Sequence, residues 1–254
     1  MNTIKRFVYN QIIPIVGRAF ICKNKYCNVI YYHDIVKGEG YSYMRTNVDV
    51  FKHQMQYIAD NGYETLRFDD LNSDNRIAYK KKRVIIAFDD GWLSNYTEIF
   101  DYMKAKGLKY NVFLAAGLIG HDERYLTWDM IRAMHESGIC GFGTHTYSHV
   151  DLSEITSENY SQEVQKADET FSIELGYSPK DFCYPFGKYS KESNDYLVYY
   201  SQYDRIYLSD MRYSYKEKGK YIMGRNGISN DESISVFKAK LNGYFNVWNF
   251  LISR

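Results

Sequence analysis

Residues 84–114 read VIIAFDDGWLSNYTEIFDYMKAKGLKYNVFL, and their order decides the fold. Residues 84–88 form an apolar run too short for a helix, which reads as a strand buried on both faces. Residues 96–106 read as a helix that stops at Gly107, the residue type best able to turn left-handed after a helix. Residues 110–114 are a second apolar strand. A strand, a crossover helix and another strand make the unit of a parallel sheet.

The same alternation extends in both directions. Strands are predicted at residues 28–32, 139–143, 182–184, 205–208 and 221–223. Helices are predicted at 51–61, with Asp49 as candidate cap and Gly62 as stop, and at 128–137 before Gly138. Further helices are predicted at 157–175 before Gly176 and from 233 to about 245. Seven or so such units in 254 residues predict an α/β fold. Its form is a distorted (β/α)7–8 barrel with parallel strands and outer helices, whose active face is the loop side at the strand C-termini.

The chain is 45% hydrophobic, enough for one large core, and carries a net charge of +1. That balance argues against a nucleic-acid partner, which calls for a strong basic excess. The 27 tyrosines suit half-buried walls and sugar-stacking surfaces, although codon bias accounts for the count equally well. Cys22, Cys27, Cys140 and Cys183 fit no disulfide or metal-ribbon spacing, so free thiols in a reducing compartment are expected. No repeat or Pro/Ser-rich linker divides residues 28–254, which are read as a single domain.

Residues 1–27 form a basic, amphipathic segment holding Lys5, Arg6, Arg18, Lys23 and Lys25 and no acid. Its apolar runs are too short to span a bilayer, and polar residues and Pro14 break up any signal-peptide core. The favoured reading is a helix packing its apolar face on the domain. The alternative is peripheral association with an anionic membrane surface, shared with the apolar stretch 244–251. A cytoplasmic location is expected, at the inner face of the membrane under that alternative.

The reactive residues fall on one side of this map. His33 follows the first strand, and Asp89 and Asp90 follow residues 84–88. His145 and His149 follow the 139–143 strand, and Tyr184, Pro185 and Phe186 lie at or after the 182–184 strand. Asp89-Asp90-Gly91 taken alone is also a common turn composition, as Asp69-Asp70 is read. His145-Thr-Tyr-Ser-His149 is the stronger signal, because a His-x3-His spacing brings two imidazoles to one ion. Two His and one Asp meet the ligand count of a catalytic zinc site with room for water.

These residues resemble the polysaccharide deacetylase family (the NodB-homology, or carbohydrate esterase 4, group). The first family motif ends in Asp-Asp-Gly, here Ala87-Phe88-Asp89-Asp90-Gly91. The second is His-(Ser/Thr)-x-x-His, here His145 to His149. The third centres on an aromatic beside a proline, here Tyr184-Pro185-Phe186-Gly187, and Leu126-Thr127-Trp128-Asp129 is also similar. The resemblance implies one divalent metal on Asp90, His145 and His149, zinc first, with cobalt or nickel as alternatives. It also implies Asp89 as general base and a backbone N–H near Phe186 for the oxyanion. Trp92, Trp128, Tyr147 and Tyr184, with Pro185, are candidates to wall a sugar site or are ordinary barrel packing.

The chain departs from the common pattern in two places. No His follows His149, and Cys183 stands where the family usually has an Arg. His33 is read as the replacement acid, because a barrel sets its first and last strands side by side. That order resembles the rearranged subgroup that deacetylates poly-β-1,6-N-acetylglucosamine. Arg225 is read either as the replacement Arg or as a structural residue.

The expected function is metal-dependent removal of the N-acetyl group from a sugar in a polysaccharide, oligosaccharide or lipid-linked precursor of the cell envelope. Two alternatives stand beside it. One is a carbohydrate-binding protein on the same fold without catalysis, and the other is an amidohydrolase or O-acetyl esterase with a non-polysaccharide substrate. Oligomeric state is not legible.

Overall fold

The computed structural model describes residues 25–38, 44–71, 77–80 and 82–246, together with Val8, Ile12, Ile13 and Ile15. Strands β1 (Asn28–Tyr32), β2 (Asp34–Val36) and β3 (Arg45–Asn47) precede helix α1 (Val48–Asp60). Next come β4 (Glu64–Leu66), β5 (Arg83–Phe88), α2 (Ser94–Thr97), α3 (Phe100–Lys106) and β6 (Tyr110–Leu114). The alternation continues through α4 (Trp128–Glu136), β7 (Cys140–Thr144), α5 (Ser157–Leu175), β8 (Asp181–Cys183), α6 (Lys191–Tyr199) and β9 (Arg205–Tyr207). β10 (Tyr215–Glu217), β11 (Lys220–Met223), β12 (Asn226–Gly227) and α7 (Ile234–Leu241) complete it.

Ten strands form one sheet in the order β10-β11-β9-β8-β7-β6-β5-β1-β12, with β4 also on β5. Its pairings are parallel except that of β10 with β11. β11 and β12 stand near opposite ends of that order, yet only Gly224 and Arg225 separate them in the chain. The step from Met223 to Asn226 spans at most about 11 Å, so the sheet must curl until its ends meet. The result is the distorted parallel barrel that the strand–helix alternation predicts.

Period-two alternation sorts each strand into two cores. Ile30, Tyr32, Ile86, Phe88 and Val112 face outward and pack with Phe51, Met55 and Ile58 of α1. Val29, Tyr31, Ile85, Ala87, Phe113, Cys183, Tyr207 and Met223 fill the barrel interior. Interior space is tight at β7, where a Cβ on Gly143 would lie 2.7 Å from the Phe113 ring and 2.8 Å from the Asp181 carbonyl.

Several boundaries differ from the sequence expectation for local reasons. α1 begins at Val48 because Asn47, rather than Asp49, caps it, its side chain accepting from Asp49 N at 2.7 Å and Val50 N at 3.2 Å. The helix expected at 96–106 is interrupted at Ile99, whose φ of −123° is not helical, and then ends at left-handed Gly107 as expected. The last helix is shorter than expected, ending at Leu241, and Ser233 caps its start. Asp69 and Asp70 lie in a 3-10 turn.

Of the N-terminal segment, Ile13 is buried with Val236, Ala239 and Phe245, and Val8 packs on the same cluster. Ile15 is exposed. The rest of residues 1–24, with Cys22, and residues 247–254 lie outside the described residues, and the membrane-surface reading lies there with them. No helix among the described residues is long and apolar enough to cross a membrane. Cys27, Cys140 and Cys183 are free, buried thiols.

Candidate functional site

Strand register assembles the site. Tyr32 pairs with Phe88, so the next residues, His33 and Asp89, leave neighbouring strand ends side by side. Leu114 pairs with Thr144 and Thr144 with Phe182, which sets His145 beside the end of β8. The inward alternation carries past each strand end: positions 29, 31 and 33, 85, 87 and 89, and 221, 223 and 225 share the interior face. His33, Asp89 and Arg225 accordingly converge inside the barrel mouth and are buried.

Asp90 and His149 reach the same point by breaking that alternation. Asp90 has φ +74°, and Thr146 and His149 have φ +65° and +57°. Non-glycine residues in this region are uncommon and cluster at functional sites. Ala116 N and Gly117 N donate to the Thr146 and Tyr147 carbonyls, and Glu163 of α5 accepts from Ser148 N and Oγ, so the histidine loop is held from two sides.

Asp90 Oδ1 lies 3.1 Å from His149 Nε2 and 3.5 Å from His145 Nε2. It is buried and accepts no hydrogen bond. Ligand atoms of the three residues all lie within 4.8 Å of one another. His145 Nδ1 sits 2.8 Å from the Cys183 carbonyl, which can only accept, so Nδ1 carries the ring proton and Nε2 presents its lone pair. Burial pushes His145 down to about 4, which keeps the ring neutral near pH 7. Burial works against the Asp90 charge, but His149 and His145 outweigh it and hold the carboxyl well below its usual range. Two imidazoles, that of His145 held neutral, and an ionised carboxylate aimed at one point fit a divalent metal.

Asp89 is occupied differently. Arg225 donates to both its oxygens, Nη1 to Oδ1 at 2.7 Å and Nη2 to Oδ2 at 2.9 Å. Burial raises the Asp89 carboxyl, and Arg225 more than offsets this and keeps it ionised. Arg225 also donates Nε to the Leu208 carbonyl and Nη2 to Ser209 Oγ. His33 Nε2 lies 3.9 Å from Asp89 Oδ2. The acidic pair therefore divides, one carboxylate facing the histidines and the other gripped by an arginine.

A cavity of about 570 Å³ opens over these groups. His33, Asp89, Asp90, His145, His149 and Phe186 line it. Phe186, at φ +58°, stands 62% exposed with its ring 4.6 Å from that of His149. The other aromatic candidates do not line the cavity. Tyr184 follows the outward set of β8 and is buried with Phe182 and Tyr203, its hydroxyl donating to Asn194. Pro185 is buried beside it. Trp128 packs edge-on against Phe171, and Tyr147 covers Gly117 beneath the Lys166 ammonium. Trp92 stacks on Tyr125 and donates its indole N–H to Asp90 Oδ2 at 2.9 Å. Tyr31, Ser209 and the Cys183 carbonyl belong to the site but were not singled out from sequence. Tyr31 was readable, since it lies two residues before His33 on the same strand face.

The family model described as polysaccharide deacetylase matches residues 76–201. YxkH of Bacillus subtilis, which bears a polysaccharide deacetylase name, is 28% identical over 169 residues, 65% of this chain and 58% of its own. The peptidoglycan-N-acetylglucosamine deacetylase of Bacillus cereus is 27% identical over 185 residues, 68% of this chain and 63% of its own. The chain thus spans about six-tenths of the length of these relatives. Among solved structures, the Streptococcus pyogenes deacetylase PplD shares the fold with a TM-score of 0.77 at 20% identity, covering 86% of this chain and 99% of that one. IcaB from Ammonifex degensii does so with a TM-score of 0.72 at 22% identity, covering 85% and 97%. Over residues 76–201, a stretch that holds Asp89, Asp90, His145 and His149, the chain is similar to the polysaccharide deacetylase family.

Proposed function

We propose that this chain is a metal-dependent hydrolase that removes the acetyl group from an N-acetylated sugar and releases acetate. The observation that carries the reading is one cavity holding a three-residue ligand cluster beside a separate, arginine-held carboxylate. The B. cereus relative named for peptidoglycan N-acetylglucosamine supports an N-acetylhexosamine substrate.

Asp90, His145 and His149 would hold the metal. Bound there, a divalent cation such as zinc, cobalt or nickel supplies Lewis-acid polarisation of the acetyl carbonyl. Asp89 takes the proton of the attacking water, and Arg225 fixes its two oxygens toward that task. His33 donates a proton to the departing nitrogen, without which an amide anion is too poor a leaving group. A backbone N–H of the Phe186 turn stabilises the oxyanion, and the exposed Phe186 ring offers the sugar a flat face.

Acetate release from N-acetylglucosamine oligomers by metal-loaded protein tests the reading. Asp89→Asn should retain the metal and lower turnover by about 100- to 10,000-fold. A wild-type protein that releases no acetate from any N-acetylhexosamine refutes the activity, and an active Asp89→Asn refutes the base.

A further inference from the structure

Arg225, which grips the base, and His33, the acid, both contact one side chain that the reaction itself does not consume. We propose that Tyr31 is a positioning residue that holds His33 and Asp89 apart, an inference that builds on the deacetylase reading above.

Tyr31 stands on the interior face of β1 and lines the cavity. The Arg225 guanidinium lies over its ring, with Cζ 4.1 Å from the centroid. The His33 ring meets it edge-on, with centroids 5.6 Å apart and planes at 63°. Both contacts are favourable geometries for an aromatic face and edge. The ring cannot retreat from them. Gly227 of β12 pairs with Tyr31, and a Cβ there would come within 2.9 Å of its Cζ and hydroxyl. Bare backbone thus backs the phenol.

The consequence is the 3.9 Å between His33 Nε2 and Asp89 Oδ2, beyond hydrogen-bond reach. An imidazole and a carboxylate this close would otherwise gain from closing to a charge-assisted bond. Closure would neutralise the base and turn the acid's proton away from the departing nitrogen. Arg225 holds the carboxylate on one side, and Tyr31 holds both Arg225 and His33.

Tyr31→Phe keeps the ring, and Tyr31→Leu removes it; Tyr31→Met, which fills the space with a flexible chain, serves if the leucine variant does not fold. For Tyr31→Phe, which keeps the ring but loses the hydroxyl, the His33–Asp89 separation should stay near 3.9 Å and any fall in kcat should be smaller than in the ring-less variant. For the leucine or methionine variant it should fall about 100-fold with KM near wild type, the scale of a misplacement of about 1 Å. Crystal structures of wild type and variant provide a readout independent of turnover. Without the ring, His33 Nε2 should close on Asp89 to about 2.8 Å. A His33–Asp89 distance unchanged in the ring-less variant, or a phenylalanine variant as slow as the leucine one, overturns the proposal. A wild type that releases no acetate counts against the deacetylase reading, and the crystallographic distance still decides the role of Tyr31.

Discussion

Arg225 grips both oxygens of Asp89 from 136 positions away in the chain, and both side chains are buried. The fork geometry needs a planar guanidinium, which a lysine ammonium cannot supply. Arg225→Lys should keep the fold and lower kcat, because one oxygen of Asp89 is released from its direction. Arg225→Ala should destabilise the protein by about 3–5 kcal/mol, since it strands a buried carboxylate. Denaturant unfolding of the two variants measures this, and an alanine variant as stable as wild type would show that Asp89 is not charged in the fold.

That pair marks how far the sequence could be read. The strand–helix order was visible in apolar runs and terminal glycines, and His33, Asp89 and His145 followed from their places after strands. For Tyr184 the packing alternative holds, because its parity with Phe182 turns it outward into the core. The hydrogen bond from Trp92 to Asp90 was not legible, because an indole N–H can serve a carboxylate as readily as a ring can stack on sugar. Asp90 depends on a left-handed backbone that no local pattern announces in an aspartate. The Arg225–Asp89 contact was legible as one of two readings of Arg225, and it forms when the curled sheet brings β12 beside β1.

The buried His145 makes the metal-free protein acid-sensitive. Burial lowers His145 from its ordinary 6.5 to about 4. Between those values the unfolded chain binds the proton and the folded chain does not, so stability rises with pH across this window. The His145 contribution is complete above about 6.5, declines on acidification and reaches its floor below about 4. Metal-stripped wild type should therefore melt at a lower temperature at pH 5 than at pH 7, and the difference should shrink in His145→Gln. An equal difference in both proteins would assign the sensitivity elsewhere.

Gly187 couples the rim to the interior. It sits at φ +66°, and a Cβ there would lie 2.6 Å from Ser209 Cβ. Ser209 in turn accepts from Arg225. Gly187→Ala should cost about 1–2 kcal/mol for the left-handed backbone alone. Because relief of the contact displaces Ser209, kcat should fall by more than the stability loss explains. Melting temperature and kcat measured on the same preparation check this, and an alanine variant that is destabilised but fully active would remove Ser209 from the argument.

Trp92→Phe separates the two readings of the indole. The phenyl ring retains the stack on Tyr125, now 4.8 Å between centroids, and deletes only the donor to Asp90 Oδ2. Groups that orient a ligating carboxylate typically change metal affinity by about 10- to 100-fold when removed. If the indole orients Asp90, the variant should bind zinc more weakly by that factor, with KM for an N-acetylglucosamine oligomer unchanged once metal is saturating. If it were a sugar wall, KM would rise and the metal titration would overlay wild type. A chelator competition followed by saturating-metal kinetics distinguishes them, and the hydrogen bond at 2.9 Å favours the first outcome.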